Sequence, residues 1–281
     1  MATVRDVAER AGVSIATVSF VLNNTKPVTP ATRDRVESAM AELGYHRNVL
    51  ARALAARSTR IIALAHPRLD TGFGSEFITS ASRAARARAR GYHLVLWPVD
   101  NDGDEIGELV GQGLVDGVVL MEVLLEDARV DALSAAGTPF ALIGRTADPA
   151  GFIHVDIDFE QSIAVALDHL QGLGHRPTVA AGRALRLPSR ITAVIMMNEL
   201  ATFGVMTERV VPDDLSILYF GTPGLAAIAN PQLTLMRAPA AILGGLGVDA
   251  LIDHLETPGA LPAPQLHPCT LEPGASTARP R

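Results

Sequence analysis

Residues 4–23, VRDVAERAGVSIATVSFVLN, constrain the fold most, because they set two short amphipathic helices on either side of a glycine-centred turn. Val4, Val7, Ala8 and Ala11 recur at helical spacing and leave Arg5, Asp6, Glu9 and Arg10 outside. Gly12 ends the first helix, since the left-handed backbone that follows a helix C-terminus carries no penalty for glycine, and Ser14 supplies an N-cap oxygen for the second. The second helix packs through Val18, Val21 and Leu22. Its outer face carries Ile15, Ala16, Thr17, Ser19 and Phe20, which are short hydroxyl and apolar groups rather than ion-pairing ones. Such a face suits a DNA groove: hydroxyls and helix N-termini bond phosphates, and apolar groups meet a thymine methyl. An ordinary helical hairpin is the alternative reading of the same residues.

Thr29-Pro30 opens a third helix, with Thr29 as N-cap and Pro30 at the first helical position, where its missing N–H costs nothing. Val36, Met40 and Leu43 form the expected buried stripe, and Gly44 closes it. Asn48 then caps a short helix over 49–56, with Arg52 and Arg57 around a Leu50, Ala51, Leu54 face. Linkers are usually rich in Gly, Ser or Pro, so a helix here points to an element that orders against something. Charge divides the chain in the same place. Residues 1–60 hold nine Lys/Arg against five Asp/Glu, whereas the whole chain is −6. A basic head on an acidic body attracts phosphates without adhering everywhere.

Residues 3–57 resemble the DNA-binding head of the lactose repressor (LacI/GalR) family of bacterial transcription regulators. The match runs through Thr3-Val4-Arg5-Asp6-Val7-Ala8, Ala11-Gly12-Val13-Ser14, Thr17-Val18-Ser19, Val21-Leu22-Asn23, Val28-Thr29, Thr32-Arg33 and Met40-Ala41-Glu42-Leu43-Gly44-Tyr45 to Asn48. The resemblance implies that Ile15, Ala16 and Phe20 read major-groove base edges, while Thr3, Ser14, Thr17, Ser19, Asn23, Thr29, Thr32 and Asn48 hold the DNA backbone. It further implies a hinge helix that places Ala51, Arg52, Leu54 and Ala55 at the minor groove, with Leu54 as a wedge that unstacks a central base step. Phe20 departs from the large polar residue common there, and a phenyl ring makes no bidentate bond to guanine, so its readout is apolar or shape-based. The implied partners are a near-palindromic double-stranded DNA operator, a second copy of the chain in a homodimer, and a sugar-like effector.

The chain, 281 residues with 48% apolar content, leaves enough after the head for a two-lobed core. No apolar run reaches membrane length, and the chain opens on the DNA-binding helix rather than a signal peptide, so a cytoplasmic protein is expected. Cys269 is alone, the eight His show no metal spacing, and no catalytic triad, metal site or cofactor motif is expected. Gly244-Gly245-Leu246-Gly247 lacks the Lys-Ser/Thr of a phosphate loop, and close helix packing explains it better. From Arg60 onward strands and helices alternate, as in parallel sheets covered by helices. Strands are expected at 61–66, 93–98, 117–121, 140–143 and 178–182, and helices at 75–90, 104–111, 130–136, 158–173, 200–208 and 242–255. A single last strand near 266–271 and a disordered tail follow.

The expected fold is therefore α/β, with an all-α helix-turn-helix head (1–47), a hinge helix (48–59) and a two-lobed, parallel-sheet, periplasmic-binding-protein-like body (60–281). The first lobe is placed at about 60–157, the second at about 158–271 and the tail at 272–281. Beyond the expected strand at 178–182 the family pattern resumes almost at once, at Leu187-Pro188-Ser189-Arg190, so roughly one α-β-α unit is missing from the second lobe. Ile191, Val194 and Ile195 are expected to lack a cover as a result. The resemblance places the effector between the lobes, at Asp70, Phe73, Glu122 and Arg145, with Arg68 nearby, facing Glu199, Phe220 and Arg237. Two alternatives stand beside an effector-controlled repressor: a ligand-blind constitutive DNA binder, and an α/β sugar-processing enzyme with a DNA-binding head.

Overall fold

The computed structural model describes residues 2–23, 26–45, 58–67, 72–87, 91–176, 191–259 and 261–280. The expected strand at 178–182 and the hinge helix at 49–56 lie outside these residues. The chain divides into two compact units, Met1–Thr59 and Arg60–Arg281.

The first unit holds helices α1 (Val4–Ala11), α2 (Ile15–Asn23) and α3 (Pro30–Glu42). Val7, Ala8, Ala11, Val18, Val21, Val36 and Ala39 form its core, with Val4, Val13, Leu22, Val28, Met40 and Tyr45 packed around them. Leu43 was expected in that stripe but is exposed. It caps α3, where the chain turns away from the helix axis, and Ala39 takes its place in the core.

The second unit contains β1 (Ile61–His66), α4 (Gly72–Ala87), β2 (His93–Pro98), α5 (Asp104–Gly111), β3 (Gly117–Met121), α6 (Ala128–Ala136), β4 (Phe140–Ile143), β5 (Ile153–Ile157) and α7 (Phe159–Gly172). Then come β6 (Ala193–Met196), α8 (Glu199–Glu208), β7 (Ser216–Gly221), α9 (Pro223–Ile228), β8 (Thr234–Arg237), α10 (Ala240–Glu256), β9 (Gln265–His267) and β10 (Thr270–Glu272). One sheet has the order β2-β1-β3-β4-β5-β9 and the other β10-β8-β7-β6. All pairings are parallel except β10 with β8. On β1, Ile62 and Leu64 join Phe77, Ala81, Leu243 and Leu251, while Ala63 and Ala65 join Ile106, Leu109, Val130 and Leu133. Such two-sided burial is why these strands read as continuous apolar runs.

Three expectations about the body need correction. The first lobe does not end at residue 157, because α10 packs on α4 and on β4 and β5, and β9 pairs with β5. Glycines allow the close approach of α10: a side chain at Gly244 would run into the Phe77 carbonyl of α4, and one at Gly247 would crowd Ile143 of β4. The expected single last strand is two strands, β9 in the first sheet and β10 in the second, separated at Pro268-Cys269. The segment expected to be a disordered tail is ordered and partly buried. Ser276 is fully buried, its hydroxyl donates to the Ile217 carbonyl and accepts from Thr234 N–H, and the Ala278 N–H donates to the Ser216 hydroxyl. Composition rich in Gly, Ala, Ser and Thr signals disorder only when the backbone has no partners, and here it finds them on β7 and β8.

Strand β6 is the edge of the second sheet among the described residues. Ile191 and Val194 are half-buried against Val205, Ile217 and Tyr219, and Ile195 packs against the larger core, so they are better covered than expected. The exposed apolar groups lie just beyond the strand, at Met197 and at Leu200, which is 83% exposed.

Candidate DNA-reading head and effector cleft

Each helix of the head begins on a hydroxyl that caps it. Thr3 Oγ1 accepts from Asp6 N–H while the Asp6 carboxylate accepts from Thr3 N–H at 2.8 Å, a reciprocal capping box. These bonds from Thr3 hold the exposed Asp6 carboxyl below the usual range. Gly12 takes φ +66° and its N–H bonds back to Ala8 and Glu9, turning the chain into α2. Ser14 Oγ accepts from Thr17 N–H at 3.1 Å and shares a hydrogen bond with the Thr17 hydroxyl, and Thr29 and Thr32 repeat the arrangement at α3. Helix N-termini with exposed hydroxyls are ready anion sites.

On α2, Ile15 and Ala16 are exposed, while Thr17, Ser19 and Phe20 are half-buried. The Lys26 ammonium lies 5.0 Å from the centre of the Phe20 ring, so that face carries a cation after all. Lys26 follows the motif as an ordinary loop residue, and nothing in the spacing marks it. The α2 backbone extends through Asn23, whose side chain is outside the described structure, and Asn48, Ala51, Arg52, Leu54 and Ala55 all lie outside the described residues. An ion pair between Arg10 and Glu42 ties α1 to α3.

In the body, the carboxyl ends of parallel strands are where open α/β sheets bind ligands. Glu122 follows β3 directly, exposed and left-handed at φ +53°. Arg145 follows β4 after Gly144, whose φ of +117° strains any other residue and where a side chain would crowd Val123. Arg145 Nε lies 3.4 Å from Asp156. Burial raises the Asp156 carboxyl, opposed by a hydrogen bond from Ile157 and by the charge of Arg145. Glu199, at the start of α8 beyond β6, accepts a 3.4 Å bond from the Tyr219 hydroxyl, which burial and the Glu199 charge push well above its ordinary range. Arg237, at the end of β8, pairs with Glu272 at 3.2 Å.

Phe220 does not stand on a cleft wall in this structure. It is 5% exposed and belongs to the core with Leu218, Met236 and Ala238, because alternation along β7 turns Leu218 and Phe220 one way and Ile217 and Tyr219 the other. Asp70 and Arg68 lie outside the described residues, and Phe73 is described only as part of the α4 backbone. The structure thus brings Glu122 and Arg145 onto one rim, and puts Glu199 at the start of α8 and Arg237 at the end of β8 in the other sheet.

Beneath the first rim lies a pair that the sequence reading did not single out. Arg129 is fully buried, and its Nε and Nη2 bond both Asp127 oxygens at 2.9 and 2.8 Å. Asp127 caps α6 and also accepts from Leu124 N–H. An Asp two residues before an Arg at a helix start was the available signal.

Residues 3–48 match the family of bacterial regulatory proteins called the lacI family, and residues 148–277 match the periplasmic binding protein-like domain. The catabolite control protein A of Priestia megaterium is 30% identical over 308 residues, covering 90% of this chain and 92% of that protein. The chain belongs to the lacI family. The ribose operon repressor of Escherichia coli K12 is 27% identical, with 92% of this chain and 94% of that protein covered. Among solved structures, the Lac repressor bound to ONPG in the repressed state superposes with a TM-score of 0.79 at 24% identity, over 98% of this chain and 99% of that one. As a lacI-family member the protein is a DNA-binding transcriptional regulator with a helical head and an α/β, periplasmic-binding-protein-like body. Its relatives are regulators rather than enzymes.

Proposed function

We propose that this lacI-family protein is a repressor that binds a near-palindromic operator as a homodimer. The observation that carries the reading is the Ser14-capped start of α2, where Ile15 and Ala16 are exposed; in this reading they and the half-buried Phe20 meet base edges. Thr3, Ser14, Thr17, Ser19, Asn23, Thr29, Thr32 and Asn48 hold the phosphates. Residues 48–59 form the hinge, in which Ala51, Arg52, Leu54 and Ala55 meet the minor groove. The protein performs no catalysis and acts in the cytoplasm, where the operator is. Among the described residues there is no cluster able to hold a metal ion. Selection from a random duplex pool should return a two-fold site whose affinity falls steeply with salt. Equal affinity for every duplex at physiological salt would sink the reading.

The effector reading places a sugar-like molecule at Glu122, Arg145, Glu199 and Arg237, with Asp70 and Phe73 beside them. Solved structures of similar fold include a CelR–cellobiose complex and a LacI family regulator with bound ribose. A second reading, a nearly ligand-blind binder, is favoured by two observations. Phe220 is shut into the core, and the alignment with the Priestia protein, at 308 residues, is longer than this 281-residue chain, so that relative has residues with no counterpart here. A ligand with equal affinity for two states shifts neither. Operator binding titrated with ribose and cellobiose separates the readings: more than about tenfold weakening, about 1.4 kcal/mol of coupling, supports an effector, and no change supports constitutive binding.

A further inference from the structure

The rim loop between β3 and α6 is held from below by the buried pair. Arg129 Nη2 donates to the Glu122 carbonyl at 2.9 Å as well as to Asp127, and Asp127 Oδ2 accepts from Leu124 N–H at 2.9 Å. The Ala147 N–H donates to the Leu125 carbonyl at 2.9 Å, and Gly144 packs on Val123, so the loops after β3 and β4 are built as one piece. Glu122 sits in this piece with a left-handed backbone, which a side-chain-bearing residue keeps only when its surroundings over-determine it.

A buried ion pair is a poor source of stability, because removing two charges from water cancels much of their attraction. Among the described residues the buried Nη1 of Arg129 has no hydrogen-bond partner. What the guanidinium does that an apolar pair could not is reach two acceptors at once, one on the helix cap and one on the rim. We propose that Arg129, anchored by Asp127, is a positioning residue for the effector rim: it fixes the Glu122 backbone and so the direction in which the Glu122 carboxylate meets a polyhydroxylated ligand. The inference rests on the effector reading of Glu122 given above.

The test follows amide hydrogen exchange in the full-length protein. Leu124 and Ala147 report the rim, and Leu218, buried in β7, reports the second sheet. Arg129→Lys keeps the charge but loses the fork. It should speed exchange at Leu124 and Ala147 by roughly tenfold or more and leave Leu218 unchanged. Adding Glu122→Gly, which takes a positive φ freely, should bring Leu124 back towards the parental rate. Unchanged exchange at the rim, or an equal rise at all three amides, overturns the proposal. Should Arg129→Lys fail to fold, Glu122→Gly alone decides: its thermal midpoint should rise, and a fall shows that Glu122 is not held against its preference. Loss of any operator response to ribose and cellobiose would remove the effector reading while leaving the exchange result intact.

Discussion

The head and the second sheet bury the same kinds of side chain by opposite routes. In the head, core residues from Val7 to Ala39 come from 33 consecutive positions, and each helix carries its own cap at Thr3, Ser14 or Thr29. In the second sheet, Ser216 and Thr234 find their partners at Ala278 and Ser276, about sixty and forty residues away. Local structure of the first kind can be read from spacing and cap chemistry. Structure of the second kind exists only when remote pieces arrive together.

The largest effect should separate the two units. Arg129→Met strands the buried Asp127 carboxylate and should destabilise the body by about 3–5 kcal/mol. Chemical denaturation with separate probes in each unit should show the head's transition unmoved, and a shared shift would break the contrast. Ser276→Ala should follow, costing about 1–3 kcal/mol for each of the two buried backbone groups it leaves unpaired, Thr234 N–H and the Ile217 carbonyl. A change within experimental error would mean the C-terminal segment only lies on the sheet.

On the DNA side, Leu54→Ala should weaken operator binding by roughly 1–3 kcal/mol and remove the bend at the central step. Unaltered bending in a circular-permutation gel would take the wedge role from Leu54. Thr29→Ala should cost the head about 1 kcal/mol through its lost cap, read by circular dichroism during thermal melting.

The pH response gives the smallest and sharpest test. Burial, the strongest single influence on the Asp127 carboxyl, pushes it up, but hydrogen bonds from Arg129 and Leu124 push further and hold it below its ordinary 3.8. A depressed carboxyl binds its proton less readily in the folded chain than in the unfolded one. Its stabilisation is therefore fully present above the ordinary value and is lost as pH falls through the depressed one. Asp127→Asn should flatten the body's loss of stability below that value, and an unchanged slope would assign the loss to other carboxylates.

Much of the head was legible because its signals are short-range: Gly12 after Ala11, Ser14 before Ile15, and Thr29 before Pro30 each act within one helical turn. Leu43 was misplaced because periodicity continues past the point where the chain leaves the helix. In the body, apolar runs predicted most strands of the first sheet but passed over β5, whose His154 and Asp156 interrupt the apolar pattern yet are buried. At the candidate cleft, the family resemblance pointed to Glu122 and Arg145, which lie just after strands β3 and β4. It did not reveal Arg129 beneath them or the burial of Phe220, because both depend on which face of an element meets the core.

The sequence by itself determined the class of the protein and its three capped head helices, since turn chemistry and helical spacing act between neighbours in the chain. Only the tertiary structure decided that α10 and β9 complete the first sheet, that the last residues lock into β7 and β8, and that a buried arginine holds the rim. Each of these needs a backbone group or a core face supplied from far along the chain, and no local pattern records which distant partner will fill it.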